Sequence, residues 1–459
     1  MKLADYLDSL KDKTVAVIGI GVSNRPLIEL LTDHGVSVTA CDKKERTALG
    51  ELAETLESRG VTLRLGADYL TGLDQDVIFR TPGLRPDVPE LAEAVRRGSV
   101  ITSEMEAFFA VCPCPIIGVT GSDGKTTTTT IIAELLKRAG RNVHVGGNIG
   151  HPLLAESGRI AAEDVAVLEL SSFQLMTLPY SPHIAVLTNL APNHLDMHRD
   201  MAEYIAAKEN IFTHQSPEDI AIFNADNTIT RALAKKARGA VRLFSRQEEP
   251  QEGVFLRDGV IFSRRDGGER AVLPVRDIQL PGVHNVENYM AAIAAVEGLV
   301  SDALVRDFAR EFGGVEHRIE LVRTLGGVRY YNDSIASSPS RCIAGLRSFD
   351  QKVILIAGGY DKHIPFDVLG PEIVEHVKLL VLCGATAEKI RQVVVSAPGY
   401  TAGNPEILVL DDFHQAVRTA SARAVDGDVV TLSPACAAFD RFQNFMERGR
   451  VYKEIVNAL

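Results

Sequence analysis

The densest chemistry in the chain is Thr120-Gly121-Ser122-Asp123-Gly124-Lys125-Thr126. Glycines let successive backbone N–H groups turn toward one point, a lysine adds positive charge, and a threonine hydroxyl is a ligand for Mg²⁺. Such a set cradles the phosphates of a nucleotide. The apolar run PIIGV precedes it and TTTTIIAELLKRAG follows, so the loop joins a strand to the start of a helix, whose N–H groups add to the field. A plain Gly-rich turn is the alternative, and the strand–loop–helix setting disfavours it. The usual string G-x-x-x-x-G-K-[ST] wants a glycine five positions before Gly124. Here that position is Val119, and the glycine is Gly121. The loop is a variant of the phosphate-binding type, continued by Thr127.

Further candidates follow in order. Glu169 ends the apolar run AVLEL, where a carboxylate could hold Mg²⁺ beside a phosphate loop. His194 and Asp196 follow another strand in TNLAPNHLD, and Lys208 sits in the helical run AAKENIF. Each alone reads as an ordinary surface or packed side chain; their order behind the loop raises the functional reading. A second glycine turn, Gly19-Ile20-Gly21, begins like a dinucleotide fingerprint, with Asp42 where a ribose-binding acid would stand. Its third glycine position is Asn24, so the turn fits a bare scaffold or a nucleotide site with a different pyrophosphate ligand better than an NAD site.

These residues need elements to position them. TVAVIG, a helix through PLIELLTDHG and VSVTACD make a β-α-β unit, and the pattern continues through VTLRLG, DVIFRTPGL and VITSEMEAFF. VCPCP reads as a connector. NVHVGGNIG, DVAVLEL, HIAVLTNL and IAIFNAD are further strands, with hairpin-like runs at 250–280 and helices at HNVENYMAAIAAVEGL and SDALVRDFAREF. VRYYNDS, KVILIAGG, LLVLCG, EILVLD and VVTLSPA form a last set. The expectation is an α/β protein of three domains: 1–113 Rossmann-like, 114–314 a central P-loop ATPase with a parallel sheet, and 315–459 Rossmann-like. Ligands should lie in clefts at the carboxyl ends of strands.

Composition agrees. Of 459 residues, 46% are hydrophobic and 24% charged, an ordinary globular balance with room for two to four domains. The net charge of −11 argues against nucleic-acid or anionic-membrane partners, though not against small phosphorylated ligands held locally. Six cysteines without a C-x-x-C do not make a disulfide framework, so reduced thiols and a cytoplasmic protein are expected. Neither a secretory leader nor a membrane span is expected.

The phosphate loop followed by GGNIG, LELSSFQL, NHLD, AAK, PGVHNVEN and EHRIE resembles the Mur ligases, the amide-forming enzymes of peptidoglycan precursor synthesis. The short first domain, NDS and LSPACAAFDRFQNFMERG are similar to the branch that adds D-glutamate to UDP-N-acetylmuramoyl-L-alanine. The resemblance implies a UDP-substrate domain, an ATPase domain and an amino-acid domain in one monomeric chain. Lys125 and Thr126, with Gly121, Ser122, Asp123, Gly124 and Thr127, would bind ATP phosphates and Mg²⁺; Glu169 would ligate metal, His194 would serve a second Mg²⁺ or the substrate side of the centre, and Lys208 would be carbamylated. Asn285, Asn288, Arg318 and Asp333 would surround the nucleotide. Val22, Ser23, Asp42, Lys43, Thr81, Pro82 and Gly83 would line the uridine diphosphate pocket, and Asn148 would meet the muramoyl group. Ser337, Lys362, Ala438, Phe439 and Phe445 would frame D-glutamate.

Two positions depart from the family pattern: Ile335 stands where many members have lysine, and Ala438 where a serine is usual. Arg341 or Lys362 is the candidate for the missing charge, and backbone N–H groups for the missing hydroxyl. The implied chemistry converts a carboxylate to an acyl-phosphate, which the amine of D-glutamate attacks. Other Mur-type ligases, folylpolyglutamate synthases, an NAD oxidoreductase and a non-enzymatic ATP-binding regulator are the competing readings.

Overall fold

The computed structural model describes residues 1–192, 197–362 and 364–459. The chain divides into two compact units, Met1–Leu273 with Glu287–Val305, and Pro274–Val286 with Arg306–Leu459.

The first unit contains two sheets. β1 (Thr14–Ile18), β2 (Ser37–Asp42), β3 (Thr62–Leu65), β4 (Val77–Phe79) and β5 (Val100–Thr102) pair in parallel in the order β3-β2-β1-β4-β5. Strand order reverses beside β1, so the loops after β1 and β4 diverge and leave a crevice. Val15, Ala16, Val17 and Ile18 are all buried because helices cover both faces of a parallel sheet.

The second sheet comprises β6 (Ile116–Thr120), β7 (Val143–Gly147), β8 (Val165–Glu169), β9 (Ile184–Leu187), β10 (Ile220–Asn224), β11 (Ala240–Ser245), β12 (Gly253–Arg257), β13 (Val260–Arg265) and β14 (Gly268–Pro274). Its order is β14-β13-β12-β11-β10-β9-β6-β8-β7, parallel from β7 to β12, with β13 antiparallel to β12. Central β6, buried throughout, lies between β8 and β9. The loops leaving β6, β8 and β9 therefore emerge side by side, which fixes the phosphate loop next to Glu169. One apolar core runs through both sheets of this unit, from Val17 and Phe79 through Phe108 and Ile116 to Leu168 and Phe212.

The second unit is built on β15 (Glu320–Leu325), β16 (Val328–Asn332), β17 (Val353–Ala357), β18 (Val377–Leu382), β19 (Glu406–Val409) and β20 (Val429–Leu432), ordered β15-β16-β20-β17-β18-β19. Separate apolar clusters cover its two faces. All strands but β15 are parallel. β15 is an addition to the five strands expected for this part of the chain. It pairs antiparallel with β16 across Gly326-Gly327, whose φ values of 56° and 76° suit a tight hairpin turn.

Candidate active site

The loop after β6 is held open by its own backbone conformation. Gly121 (φ 154°) and Gly124 (φ 79°) lie in the region that favours glycine. A Cβ at Gly121 would overlap Thr188 Oγ1, and one at Gly124 would overlap Asn288 Oδ1. Neighbouring loops brace the turn: the Ser122 amide donates to Asn189 O at 2.9 Å, and the Asp123 amide to Asn189 Oδ1 at 3.0 Å. The Ser122 hydroxyl meets Ala191 O at 2.9 Å and Tyr204 OH at 3.0 Å. Lys125 opens the helix Lys125–Arg138, and its Nζ folds back to the Gly121 and Ser122 carbonyls at 2.8 and 2.9 Å. Asn288 is buried beside this helix and accepts from Thr128 Oγ1 at 3.3 Å.

Glu169, at the end of β8, is 1% exposed. Its Oε2 accepts from Thr126 Oγ1 and its Oε1 from Asn148 Nδ2, both at 2.7 Å. Gly147 lies so close to the Glu169 carbonyl that any Cβ would overlap it. A buried carboxylate and a threonine hydroxyl are hard oxygen donors, the set that suits Mg²⁺. Among the described residues no three His, Cys, Asp or Glu side chains converge on one point. His194 and Asp196 lie outside the described residues.

Lys208 is also 1% exposed. Its Nζ donates to Thr120 Oγ1 at 3.1 Å and Gly121 O at 2.9 Å, and lies 5.0 Å from the Tyr204 ring centre. Burial, reinforced by the nearby Lys125 charge, holds its pKa well below the ordinary lysine range. The helix Met201–Thr213 that carries Lys208 is pinned at its start. Asp200 caps it through the Glu203 amide at 2.8 Å, and Arg85 grips Glu203 Oε1 and Oε2 at 2.9 and 3.0 Å and Met197 O at 2.6 Å. Hydrogen bonds from Arg85 hold the Glu203 carboxyl down at about 2. His198 is buried in the same segment, 2.9 Å from Ser172 Oγ and stacked on Phe173.

At the first sheet, Asp42 accepts from the Ile20 amide at 2.7 Å and the Lys44 amide at 2.9 Å. Asn24 Nδ2 donates to Ile18 O at 2.9 Å. These two side chains shape the Gly19–Gly21 turn: both Asp42 oxygens hold backbone, so Asp42 acts as a latch on the turn. Val22, Ser23 and Lys43 are exposed around it. Arg80, 2% exposed, threads under the next loop, donating to Thr81 O and Pro82 O at 3.3 Å each, to Leu84 O, and to Thr177 Oγ1 at 3.2 Å. It sets the path of Thr81, Pro82 and Gly83.

In the second unit, Asp333 follows β16 and is buried. It accepts from Ser433 Oγ at 2.8 Å and the Ile319 amide at 3.3 Å, and burial raises its carboxyl to about 7. Arg318 is flanked by His317 (φ 65°) and Ile319 (φ 43°). A β-branched residue at positive φ is strained, and such strain concentrates at functional loops. Arg448, 2% exposed, donates to Ser334 Oγ and O at 3.0 and 2.9 Å and to Cys436 O and Ala437 O at 3.1 Å each. It ties the Asp333–Ser334 turn to the Cys436–Ala438 loop. Phe439 stands exposed past that loop against Tyr360, their ring centres 5.9 Å apart. Phe445 opens the helix Phe445–Asn457 and sits edge-on to His317. Ser337 is partly buried, Lys362 is exposed, and Arg341 Nη1 lies 3.4 Å from the Ile335 carbonyl. Asn285 donates to Pro281 O at 2.6 Å.

Residues 119–296 match the Mur ligase middle domain and residues 317–436 the Mur ligase glutamate ligase domain. The UDP-N-acetylmuramoylalanine--D-glutamate ligase of Acetivibrio thermocellus is 50% identical over 461 residues, covering 100% of this chain and 99% of the relative. That of Clostridium novyi is 49% identical over 457 residues, 99% of each chain. The chain belongs to the Mur ligase family. The fold agrees: the crystal structure of UDP-N-acetylmuramate-alanine ligase from Thermotoga maritima superposes with a TM-score of 0.58 at 17% identity, over 97% of this chain and 99% of that one.

In this Mur ligase, the phosphate loop, Thr126, Asn148, Glu169, Lys208 and Asn288 converge in the first unit. Asn148 points at Glu169, so the structure gives it a carboxylate-holding position. Sequence reasoning missed Arg80, Arg85, His198, Tyr204 and Arg448. A buried or half-buried arginine carries no local motif, and only the position of Arg80 directly after β4 hinted at a role. As an ATP-dependent amide ligase of peptidoglycan precursor synthesis, the chain uses small-molecule substrates. No helix among the described residues is long and apolar enough to cross a membrane.

Proposed function

We propose that this chain joins D-glutamate to UDP-N-acetylmuramoyl-L-alanine at the expense of ATP. The observation that carries the assignment is the identity of 50% and 49%, spanning the whole chain, to relatives named for that reaction. A carboxylate oxygen of the UDP-linked substrate attacks the γ-phosphorus and ADP leaves. The amine nitrogen of D-glutamate then attacks the acyl carbon, and phosphate leaves through a tetrahedral intermediate.

The phosphate-loop amides and Lys125 hold the nucleotide phosphates, and Asn288 fixes the loop's glycine. Thr126 and Glu169 hold Mg²⁺, with Asn148 orienting the carboxylate; when bound, the ion neutralises charge on the phosphates. A neutral amine reacts with CO₂ where an ammonium cannot, and the burial of Lys208 favours that neutral form. We read Lys208 as carbamylated and serving a second Mg²⁺ with His194. Val22, Ser23, Lys43 and Thr81–Gly83 take the uridine diphosphate on the turn that Asp42 latches. Asn285, Arg318 and Asp333 serve the nucleotide, and Ser337, Lys362, Ala438, Phe439 and Phe445 the amino acid. Arg341, beside Ile335, supplies the charge that many relatives draw from lysine. The three sheets correspond to three functional domains, cut near 113 and 314, in a monomeric cytoplasmic enzyme.

Phosphate release with ATP, Mg²⁺ and UDP-N-acetylmuramoyl-L-alanine tests the reading. D-Glutamate should stimulate strongly, whereas L-glutamate, L-alanine and meso-diaminopimelate should not. Equal stimulation by L-alanine or meso-diaminopimelate would move the chain to another branch of the family.

A further inference from the structure

Cys112-Pro113-Cys114 lies outside every site described above. It joins the helix Glu104–Val111 to β6, the strand that runs into the phosphate loop. The two sulfurs are 3.6 Å apart. All six cysteines are free thiols; five are buried, and Cys112 alone is partly open to solvent. Burial pushes Cys41, Cys383 and Cys436 up to about 11 and Cys342 up to about 12, where little thiolate exists at neutral pH. Cys112 goes the other way: its contact with the Cys114 thiol lowers it, and the same contact raises Cys114; the Cys112 sulfur also lies 3.6 Å from the Cys114 carbonyl oxygen. A partly exposed thiol thus sits 3.6 Å from a shielded one, the arrangement of an attacking and a resolving cysteine.

We propose that Cys112 and Cys114 form an oxidisable dithiol that reacts with hydroperoxides and closes to a reversible intramolecular disulfide. The Cys112 thiolate attacks the terminal peroxide oxygen. The O–O bond breaks, Cys112 becomes a sulfenic acid, and the alkoxide or hydroxide leaves as alcohol or water after taking a proton. The Cys114 sulfur then attacks the Cys112 sulfur; the S–S bond forms, the S–O bond breaks and water leaves. The balance is two thiols and one hydroperoxide to one disulfide, one alcohol (or water) and one water. Closure brings the sulfurs from 3.6 Å to about 2.05 Å across a single intervening residue. A bridge that short departs from relaxed disulfide geometry and is readily reduced, which makes it a labile bond rather than a structural one.

The full-length, pre-reduced protein is treated with hydrogen peroxide, its remaining thiols are blocked, and its peptides are weighed. The peptide carrying Cys112 and Cys114 should lose two hydrogens and regain them with dithiothreitol, while Cys41, Cys342, Cys383 and Cys436 stay thiols. In Cys114→Ser, Cys112 should instead be captured by dimedone as a sulfenic acid, and in Cys112→Ser no bridge should form. The proposal is overturned if the wild-type protein accumulates sulfenic or sulfinic acid at Cys112 without a bridge. Oxidation of the four buried cysteines as fast as Cys112 also overturns it. Neither result depends on the ligase assignment.

Discussion

Replacing Asp333 by asparagine should make the protein more stable above neutral pH. The carboxyl is sealed between Ser433 Oγ, the Ile319 amide and Gly345, where a Cβ would lie 2.8 Å from Oδ2. Burial raises it from 3.8 to about 7. Between those values the folded protein holds a proton that the unfolded chain has lost, so stability falls as pH rises through this window and levels off above it. Each tenfold change is worth about 1.4 kcal/mol, so ionised Asp333 costs about 4 kcal/mol at pH 8. Asparagine has nearly the shape of the protonated acid: its oxygen can accept one of the two hydrogen bonds, and its amide can donate to a rotated Ser433 hydroxyl. Asp333→Asn should therefore match wild type near pH 4 and exceed it by up to about 4 kcal/mol at pH 8. Urea denaturation of both proteins across that range measures the difference, and other titrating groups cancel in the comparison. Parallel stability profiles would refute the reasoning. Ligase activity should fall in the same variant, because a site that keeps a costly charge is trading stability for function.

Glu169→Gln keeps the shape but removes the anion that Thr126 and Asn148 address. Activity should drop roughly 100- to 1000-fold and the Mg²⁺ requirement should shift upward, as read by phosphate release against Mg²⁺ concentration. Gly124→Ala places a Cβ against Asn288 Oδ1 at φ 79°, so thermal stability should fall by about 1–2 kcal/mol from backbone strain alone, with weaker nucleotide binding by calorimetry. Lys208→Ala should inactivate the enzyme, with partial rescue by added short carboxylates; full activity without supplement would remove the carbamate from the mechanism.

The phosphate loop was legible because each part of it is a residue type at a fixed spacing: glycines at the turns, lysine and threonine at the helix start, apolar residues in the strand before. The strand ends at Glu169 and Asp42 were legible for the same reason. What Asp42 does there was not, since its partners are backbone amides of Ile20 and Lys44, which no residue type announces. β15 escaped because its run ELVRTL is partly exposed, although Gly326-Gly327 was a usable hairpin signal. The positive φ at His317 and Ile319 had no signal at all. Ile319 belongs to a type that dislikes that conformation, and it is held there with its amide on Asp333 while Asn332 holds the neighbouring His317.

The Arg448 clamp bears on which substitutions this part of the fold can absorb. The carbonyls of Ser334, Cys436 and Ala437, all buried, are fixed by one buried guanidinium. A point substitution swaps a side chain and leaves a carbonyl in place. A change at Cys436 or Ala437 therefore leaves the acceptors of the clamp standing, whereas a change at Arg448 itself would release both loops at once.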